Sequence, residues 1–224
     1  MMIIQPMGLN LFHPIGFYPV LDTEMAARNG TGAISAAAAI LEAGARILQF
    51  RHKGFFSREV FEQAKEIDSL CRQAGALFVL NDRADIARLL HAALHVGQED
   101  LSPADARRVL GDEPFIGLST HNQAQIRAAA AQPANYLALG PMFGTSSKLN
   151  PDPVVGLDEL RRLRSFTDRP LVAIGGITRA NARRVLEAGA DSVAVLSDLF
   201  PEDGNMRARA EEWMRLCPSA TVPG

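Results

Sequence analysis

Leu41-Glu42-Ala43-Gly44-Ala45-Arg46-Ile47-Leu48-Gln49-Phe50, LEAGARILQF, holds the end of a helix, a glycine stop and the start of a strand. Glycine just past a helix takes the left-handed conformation that lets the last carbonyls find partners. Residues 186–195, LEAGADSVAV, repeat the arrangement near the other end of the chain. Such self-similarity suits an architecture built from one repeated unit, although AGA-type caps are common.

Working outward, short apolar runs alternate with longer helical patterns. The candidate strands are FYPV (17–20), ILQF (47–50), LFVL (77–80), LHV (94–96), FIGL (115–118), YLAL (136–139), LVAI (171–174) and SVAVL (192–196). Helical spacing or Ala-rich composition marks Ala33–Ala43, Arg58–Gln73, Asp85–Leu90, Pro103–Leu110, Gln123–Ala131, Leu157–Arg164, Asn181–Ala188 and Met206–Leu216. Strands separated by helices imply βαβ units and a parallel sheet. The runs lack a clean period of two, as expected of strands covered on both faces. Eight of each predict an α/β fold, a single (β/α)8 TIM barrel with a short N-terminal extension. The runner-up is an open doubly wound sheet, but no GxGxxG follows the first strand. The expected division is an arm over 1–16, the barrel over 17–216 and a tail over 217–224.

A length of 224 residues allows one barrel, and 47% hydrophobic with 21% charged residues is ordinary for a globular protein. The formal net charge of −2 gives no nucleic-acid footprint. The apolar start MMIIQPMGLNLFHPIGFYPV has no basic n-region and is broken by Pro6, Gly8 and Pro14, so it does not read as a signal peptide. No run approaches the ~18 apolar residues of a membrane span. Cys71 and Cys217 form neither a metal spacing nor a disulfide framework, and a cytoplasmic location is expected. Only Lys53, Lys65 and Lys148 are lysines among 23 basic residues, so the positions that use Lys stand out.

Barrel active sites lie at the C-terminal ends of the strands. Strand 2 runs out through Gln49, Arg51 and Lys53, which share one side at period two. Strand 3 ends in Asn81-Asp82, strand 4 in Gln98-Glu99-Asp100, and strand 5 in Ser119 and His121. GPMFGTSSK follows strand 6 and finishes on Lys148; Gly175-Gly176 follows strand 7 and Leu196-Ser197-Asp198 closes strand 8. Taken singly, each has a plain structural reading. Asn-Asp caps helices, Gly-Gly makes turns, and His95 and His121 suit structural roles. Gathered at one end of successive strands, they suggest a site for a phosphorylated substrate. Gly175-Gly176 would offer backbone N–H groups to a phosphate, and Arg51, Lys53 and Lys148 would face a diphosphate. Asp82 and Asp100 are oxygen ligands of the kind Mg2+ prefers when it bridges phosphates.

QFRHK, LNDRADIA, HVGQEDL, GLSTH, GPMFGTSSK, AIGGI and VAVLS, in this order from roughly Phe17 to Phe200, closely resemble the thiamine-phosphate synthase (thiamine-phosphate pyrophosphorylase) family. The resemblance implies a transferase of thiamine biosynthesis on a (β/α)8 barrel. It would join 4-amino-5-hydroxymethyl-2-methylpyrimidine diphosphate to 4-methyl-5-(2-phosphooxyethyl)thiazole with Mg2+, releasing diphosphate. Asp82 and Asp100 match the magnesium ligands; Arg51, Lys53, Asn81 and Lys148 match the diphosphate-holding groups. Gln49 and Ser119 match residues near the aminopyrimidine, with Ser119, Arg51, Lys53 and Lys148 taken as catalytic. Thr145, Ser147 and the backbone at Gly176, Leu196 and Ser197 match the thiazole-phosphate site. Helix capping would be a second duty of Asn81-Asp82. A homodimer is carried over from the family.

The sequence departs from the family pattern in three places. His91-Ala92-Ala93-Leu94 shortens the usual Gly-Ala-Asp-Gly, Gly144 stands where proline or alanine is usual, and Asp198 replaces a small residue beside the presumed thiazole phosphate. An active enzyme requires that Asp198 turn outward, capping a helical turn near Leu199. The rivals are a thiazole tautomerase-like barrel, which needs no diphosphate or metal, and a non-catalytic regulatory ligand-binding barrel. Both would be favoured by missing members of the set Lys53, Asp82, Asp100 and Lys148, and all four are present.

Overall fold

The computed structural model describes residues 16–144 and 152–218. Eight strands close into one barrel in sequence order: β1 (Gly16–Asp22), β2 (Ile47–Arg51), β3 (Leu77–Asn81), β4 (Ala93–Val96), β5 (Ile116–Thr120), β6 (Tyr136–Leu139), β7 (Leu171–Ile174) and β8 (Ser192–Val195). Every neighbouring pair is parallel, including the seam where Gly16 lies opposite Ser192. This is the TIM barrel that the alternating pattern predicts. Thr145, Ser147 and Lys148, the arm before Gly16 and the tail after Pro218 lie outside the described residues.

Eight helices fall where the helical spacing places them: α2 (Ala33–Glu42), α3 (Arg58–Ala74), α4 (Ala84–Leu90), α5 (Pro103–Leu110), α6 (Gln123–Ala129), α7 (Gly156–Arg164), α8 (Ala182–Glu187) and α9 (Met206–Leu216). A short α1 (Thr23–Arg28) was not expected. The Asp22 carboxylate makes it, accepting from the Met25 N–H at 2.9 Å as an N-cap. The two LEAGA glycines behave alike: Gly44 (φ 98°) and Gly189 (φ 109°) end α2 and α8 in the left-handed region.

Two apolar layers form. One fills the space between strands and helices, from Phe17 and Leu48 through Leu139 to Trp213. The other fills the barrel interior, with Tyr18, Val20, Ile47, Val79, Ala93, Tyr136, Ala138, Val172 and Ala194. Alternate residues of each strand serve the two layers, so both faces are apolar and no amphipathic period shows. The seam has its own lock. Trp213 on α9 is fully buried and stacks on Phe17 of β1 with ring centres 5.7 Å apart. The Gly16 backbone lies so close to Cys217 that a Cβ there would sit 2.2 Å from its carbonyl oxygen.

Candidate active site

The interior positions of β2 to β5 step upward from apolar to polar. Val79 is followed two residues on by Asn81, Ala93 by His95, and Gly117 by Ser119. Gln49 and Asn81 are buried, at 4% and 8% exposure. Arg51 ends β2 opposite Asp22 of β1 and forms a hydrogen-bonded ion pair with it. Asp22 thereby holds Arg51 while capping α1, a role the sequence reading missed. A guanidinium carries five N–H donors, so this contact leaves others for a ligand.

Lys53 lies just past the end of β2, and its Nζ stands 2.5 Å from Asp82 Oδ2 at the end of β3. With Lys53 half-exposed, such a pair contributes only about 0–1 kcal/mol. Stability therefore does not explain the arrangement. Asp82 takes φ 66°, left-handed backbone that aspartate tolerates better than most residues, while its N–H donates to the His95 carbonyl at 2.8 Å. Burial pushes its carboxyl up, Lys53 pulls it down, and the neighbouring Asp100 carboxylate pushes it up again. Asp100 is fixed by the Gly97 N–H, which donates to Oδ2 at 2.8 Å. Asp82 thus stands between Lys53, which pairs with it, and the Asp100 carboxylate.

The Asn-Asp pair does not cap a helix. The N-cap of α4 is Arg83, whose side chain instead grips Asp85 at 2.9 and 2.6 Å. What Asn81 does have is a buried Nδ2 with no partner among the described residues. Leaving such a donor unsatisfied costs about 1–3 kcal/mol, a cost a ligand's acceptor removes. Lys65 lies elsewhere, exposed on α3 and 2.6 Å from Glu62.

Gln49 and Ser119 stand on β2 and β5, joined through the barrel. Gln49 Nε2 donates to the Tyr18 hydroxyl at 2.9 Å, and Tyr18 and Tyr136 share a hydrogen bond of 2.7 Å. The Tyr136 hydroxyl meets His95 Nδ1 at 2.9 Å, and His95 Nε2 meets Ser119 Oγ at 2.9 Å. Burial pushes the His95 imidazole down to about 4, with smaller opposing effects of Asp100 and Lys53, so the ring is neutral at pH 7. Gly117 makes room for this chain: a Cβ there would fall 2.0 Å from Tyr136 Cζ. Sequence reading found the ends and missed Tyr18 and Tyr136. They are the chain's only two tyrosines, the same scarcity that singled out the lysines. His95 and His121 have structural partners; Nδ1 of His121 donates to the Gly140 carbonyl at 2.6 Å.

The other side of the mouth is backbone. Gly175 and Gly176 take φ 92° and 67°, and the loop after β6 packs on them, Phe143 N–H donating to the Gly175 carbonyl at 3.0 Å. A Cβ on Gly176 would lie 2.7 Å from the Gly144 carbonyl oxygen. The neighbouring strand β8 delivers Leu196 and then a single 3-10 turn over Ser197–Leu199. That turn begins at Ser197 rather than near Leu199, and the Asp198 side chain does not cap it. Asp198 Oδ2 instead accepts from Arg179 Nε at 3.1 Å, and Arg179 also binds Glu212 on α9. The carboxylate is neutralised in the outer layer.

Among the described residues no three His, Cys, Asp or Glu side chains group to hold a metal, so a cation at Asp82 and Asp100 needs oxygens from its substrate or water. No helix among those residues is long and apolar enough to cross a membrane.

Residues 17–199 match the family model described as thiamine monophosphate synthase. The thiamine-phosphate synthase of Koribacter versatilis is 50% identical over 182 residues, covering 80% of this chain and 84% of that one. That of Chloroflexus aurantiacus is 39% identical over 187 residues, covering 83% and 85%. Among solved structures, thiamine phosphate pyrophosphorylase from Pyrococcus furiosus superposes with a TM-score of 0.81 at 31% identity, covering 92% of this chain and 97% of that one.

Proposed function

This chain belongs to the thiamine-phosphate synthase family of transferases, and from that premise we propose that its barrel mouth joins an aminopyrimidine diphosphate to a thiazole phosphate with the help of Mg2+. The observation that carries the reading is the corner at β2 to β4. An orphaned buried donor on Asn81 stands beside Asp82, whose carboxylate pairs with Lys53 and neighbours that of Asp100. Cations and an amide donor suit a diphosphate, and a carboxylate pair suits the metal that accompanies one.

In this reading Asp82 and Asp100 would hold the Mg2+, which would supply positive charge to offset that of the diphosphate. Lys53, Asn81 and the remaining donors of Arg51 bind the diphosphate oxygens, joined by Lys148 from the loop after β6. The C–O bond to the pyrimidine's exocyclic carbon breaks, and the diphosphate leaves with the electron pair. Charge stabilisation that grows along this step is the protein's main contribution. The pyrimidine ring delocalises the positive charge, and Gln49 and Ser119 orient it. The thiazole ring nitrogen then forms the new C–N bond. Its phosphate tail is held by the backbone at Gly176, Leu196 and Ser197, with Thr145 and Ser147, so that the nitrogen is kept in line. The Asp198–Arg179 pair supports this subsite by keeping that carboxylate engaged away from the phosphate.

The test is to mix both heterocyclic substrates with the protein and Mg2+ and measure thiamine phosphate and diphosphate together. Both products in equal amount, lost in EDTA and restored by Mg2+, are the expected result. Full activity in EDTA removes the metal assignment. A cytoplasmic homodimer is part of the same proposal; light scattering of the purified protein reads its mass.

A further inference from the structure

We propose that two arginines outside the barrel mouth, Arg179 and Arg209, are positioning residues with separable parts in the thiazole-phosphate subsite. Arg179 keeps the Asp198 carboxylate off the phosphate, and Arg209 holds the backbone of the turn after β8. The proposal rests on the function given above for the mouth at β7 and β8.

Asp198 follows Ser197 directly, so its carboxylate hangs one residue from backbone that receives a phosphate in that reading. Several staggered wells are open to such a side chain, and the turn does not choose among them, as no side chain caps it. The partners of Asp198 do the choosing. Arg179 Nε donates to Asp198 Oδ2 at 3.1 Å, and Arg179 Nη1 also binds Glu212 of α9. Arg209, on the preceding turn of α9, stands 3.5 Å through Nε from the same Glu212 oxygen. Its Nη1 donates to the Asp198 carbonyl oxygen at 2.7 Å. Asp198, Arg179, Glu212 and Arg209 therefore close a ring on the outer side of the turn.

The ring is balanced, two guanidinium groups against two carboxylates. The Asp198 and Arg209 side chains are only 18% and 15% exposed, so water and salt screen the inner part of the ring poorly. Without Arg179, one negative charge is left unbalanced beside the phosphate. Arg179 also works from a fixed base. In its loop, Asn181 Oδ1 accepts from the Thr178 N–H at 2.8 Å, and Asn181 Nδ2 donates to the Gly176 carbonyl at 3.0 Å.

The two arginines hold different atoms of one residue. Arg179 holds a side chain that a substitution can delete; Arg209 holds a carbonyl that any residue would keep. The need for Arg179 therefore disappears with Asp198, and the need for Arg209 does not. An arginine that only braced the fold would show no such dependence.

The experiment compares wild type with Arg179→Gln, Arg209→Met, Asp198→Ala and the two double variants that combine each arginine change with Asp198→Ala. Thiamine phosphate formation gives KM for each substrate. Arg179→Gln is expected to raise KM for thiazole phosphate about tenfold, with kcat and KM for the aminopyrimidine diphosphate within a few-fold. Adding Asp198→Ala is expected to bring that KM back to within a few-fold of wild type. Arg209→Met is expected to raise the same KM about tenfold, and Asp198→Ala to leave that rise in place. If Arg209→Met does not fold, Arg209→Gln takes its place. An unchanged KM in Arg179→Gln, a rise that Asp198→Ala fails to reverse, or a rise shared by both substrates overturns the proposal. So does an Arg209 variant with normal KM, or one that Asp198→Ala rescues. Calorimetry with thiazole phosphate reads the subsite without turnover. If binding follows this pattern while no thiamine phosphate is made, the functional reading falls and the arginine roles stand. If thiamine phosphate is made and neither arginine affects KM, the roles fall and the function stands.

Discussion

The two halves of the barrel mouth are built from different materials. From β2 to β5 the mouth is side chains, Arg51, Lys53, Asn81, Asp82, Asp100 and Ser119, with Arg51 paired to Asp22, Lys53 to Asp82, and Ser119 joined to His95 in the interior. At β7 and β8 the described part is backbone: two left-handed glycines and a single turn after Leu196. Charged side chains suit a leaving group whose charge changes during reaction. Backbone N–H groups suit a phosphate that is only carried along. On the proposed function, damage to the first half should appear in kcat and damage to the second in KM.

The sharpest way to break this comparison is at Asp82. Asp82→Asn keeps a residue that tolerates φ 66° and removes only the charge. Loss of charge stabilisation in the transition state should lower kcat by about 10²–10³ with the fold intact by circular dichroism. Normal kcat in this variant, or in Asp100→Asn, would erase the distinction between the halves.

His95 should give the next largest effect, on stability. Its folded pKa is depressed from 6.5 to about 4, so between those values the unfolded chain binds a proton that the native protein excludes. Its contribution is unpenalised above pH 6.5 and declines as pH falls toward 4, by about 3 kcal/mol in all. Urea unfolding at pH 7 and pH 5 should show wild type losing more stability on acidification than His95→Gln. Equal losses would mean that His95 does not titrate as a buried group.

Gly176→Ala should follow. Left-handed backbone and a Cβ 2.7 Å from the Gly144 oxygen together cost about 1–3 kcal/mol. The expected outcome is a KM for thiazole phosphate raised roughly tenfold or more with kcat much less changed. A fall in kcat at constant KM would place this loop in the chemistry. The smallest effect belongs to Asp198→Ala. Because Arg179 already holds that carboxylate in the outer layer, the same KM should stay within a few-fold of wild type. A large fall would show the carboxylate facing the phosphate after all.

Sequence reading did well where chemistry is carried by residue type and poorly where it is carried by partnership. The βα alternation gave the barrel because each strand and helix has a bounded, locally encoded pattern. The corner at Asn81 and Asp82 was visible because charged and amide groups gather at consecutive strand ends. Their supposed helix cap was not, since Arg83 and Asp85 take that position through a local contact. Asp22, Tyr18 and Tyr136 were missed because their partners lie on other strands, between 29 and 118 residues away. Helix α1 escaped because its six residues carry too short a pattern, and a single Asp22 contact starts it.

The lock between Phe17 and Trp213 carries a consequence for how the protein is made. Gly16 pairs with Ser192, so the first strand waits for the last. At about 5–20 residues per second, the ribosome releases that partner on the order of 10–35 s after the first strand is made. Throughout that interval the nascent chain carries an open edge on β1, with Phe17 uncovered, and such edges invite pairing with other chains. The C-terminal helix therefore acts late in synthesis as the clasp that ends this exposure.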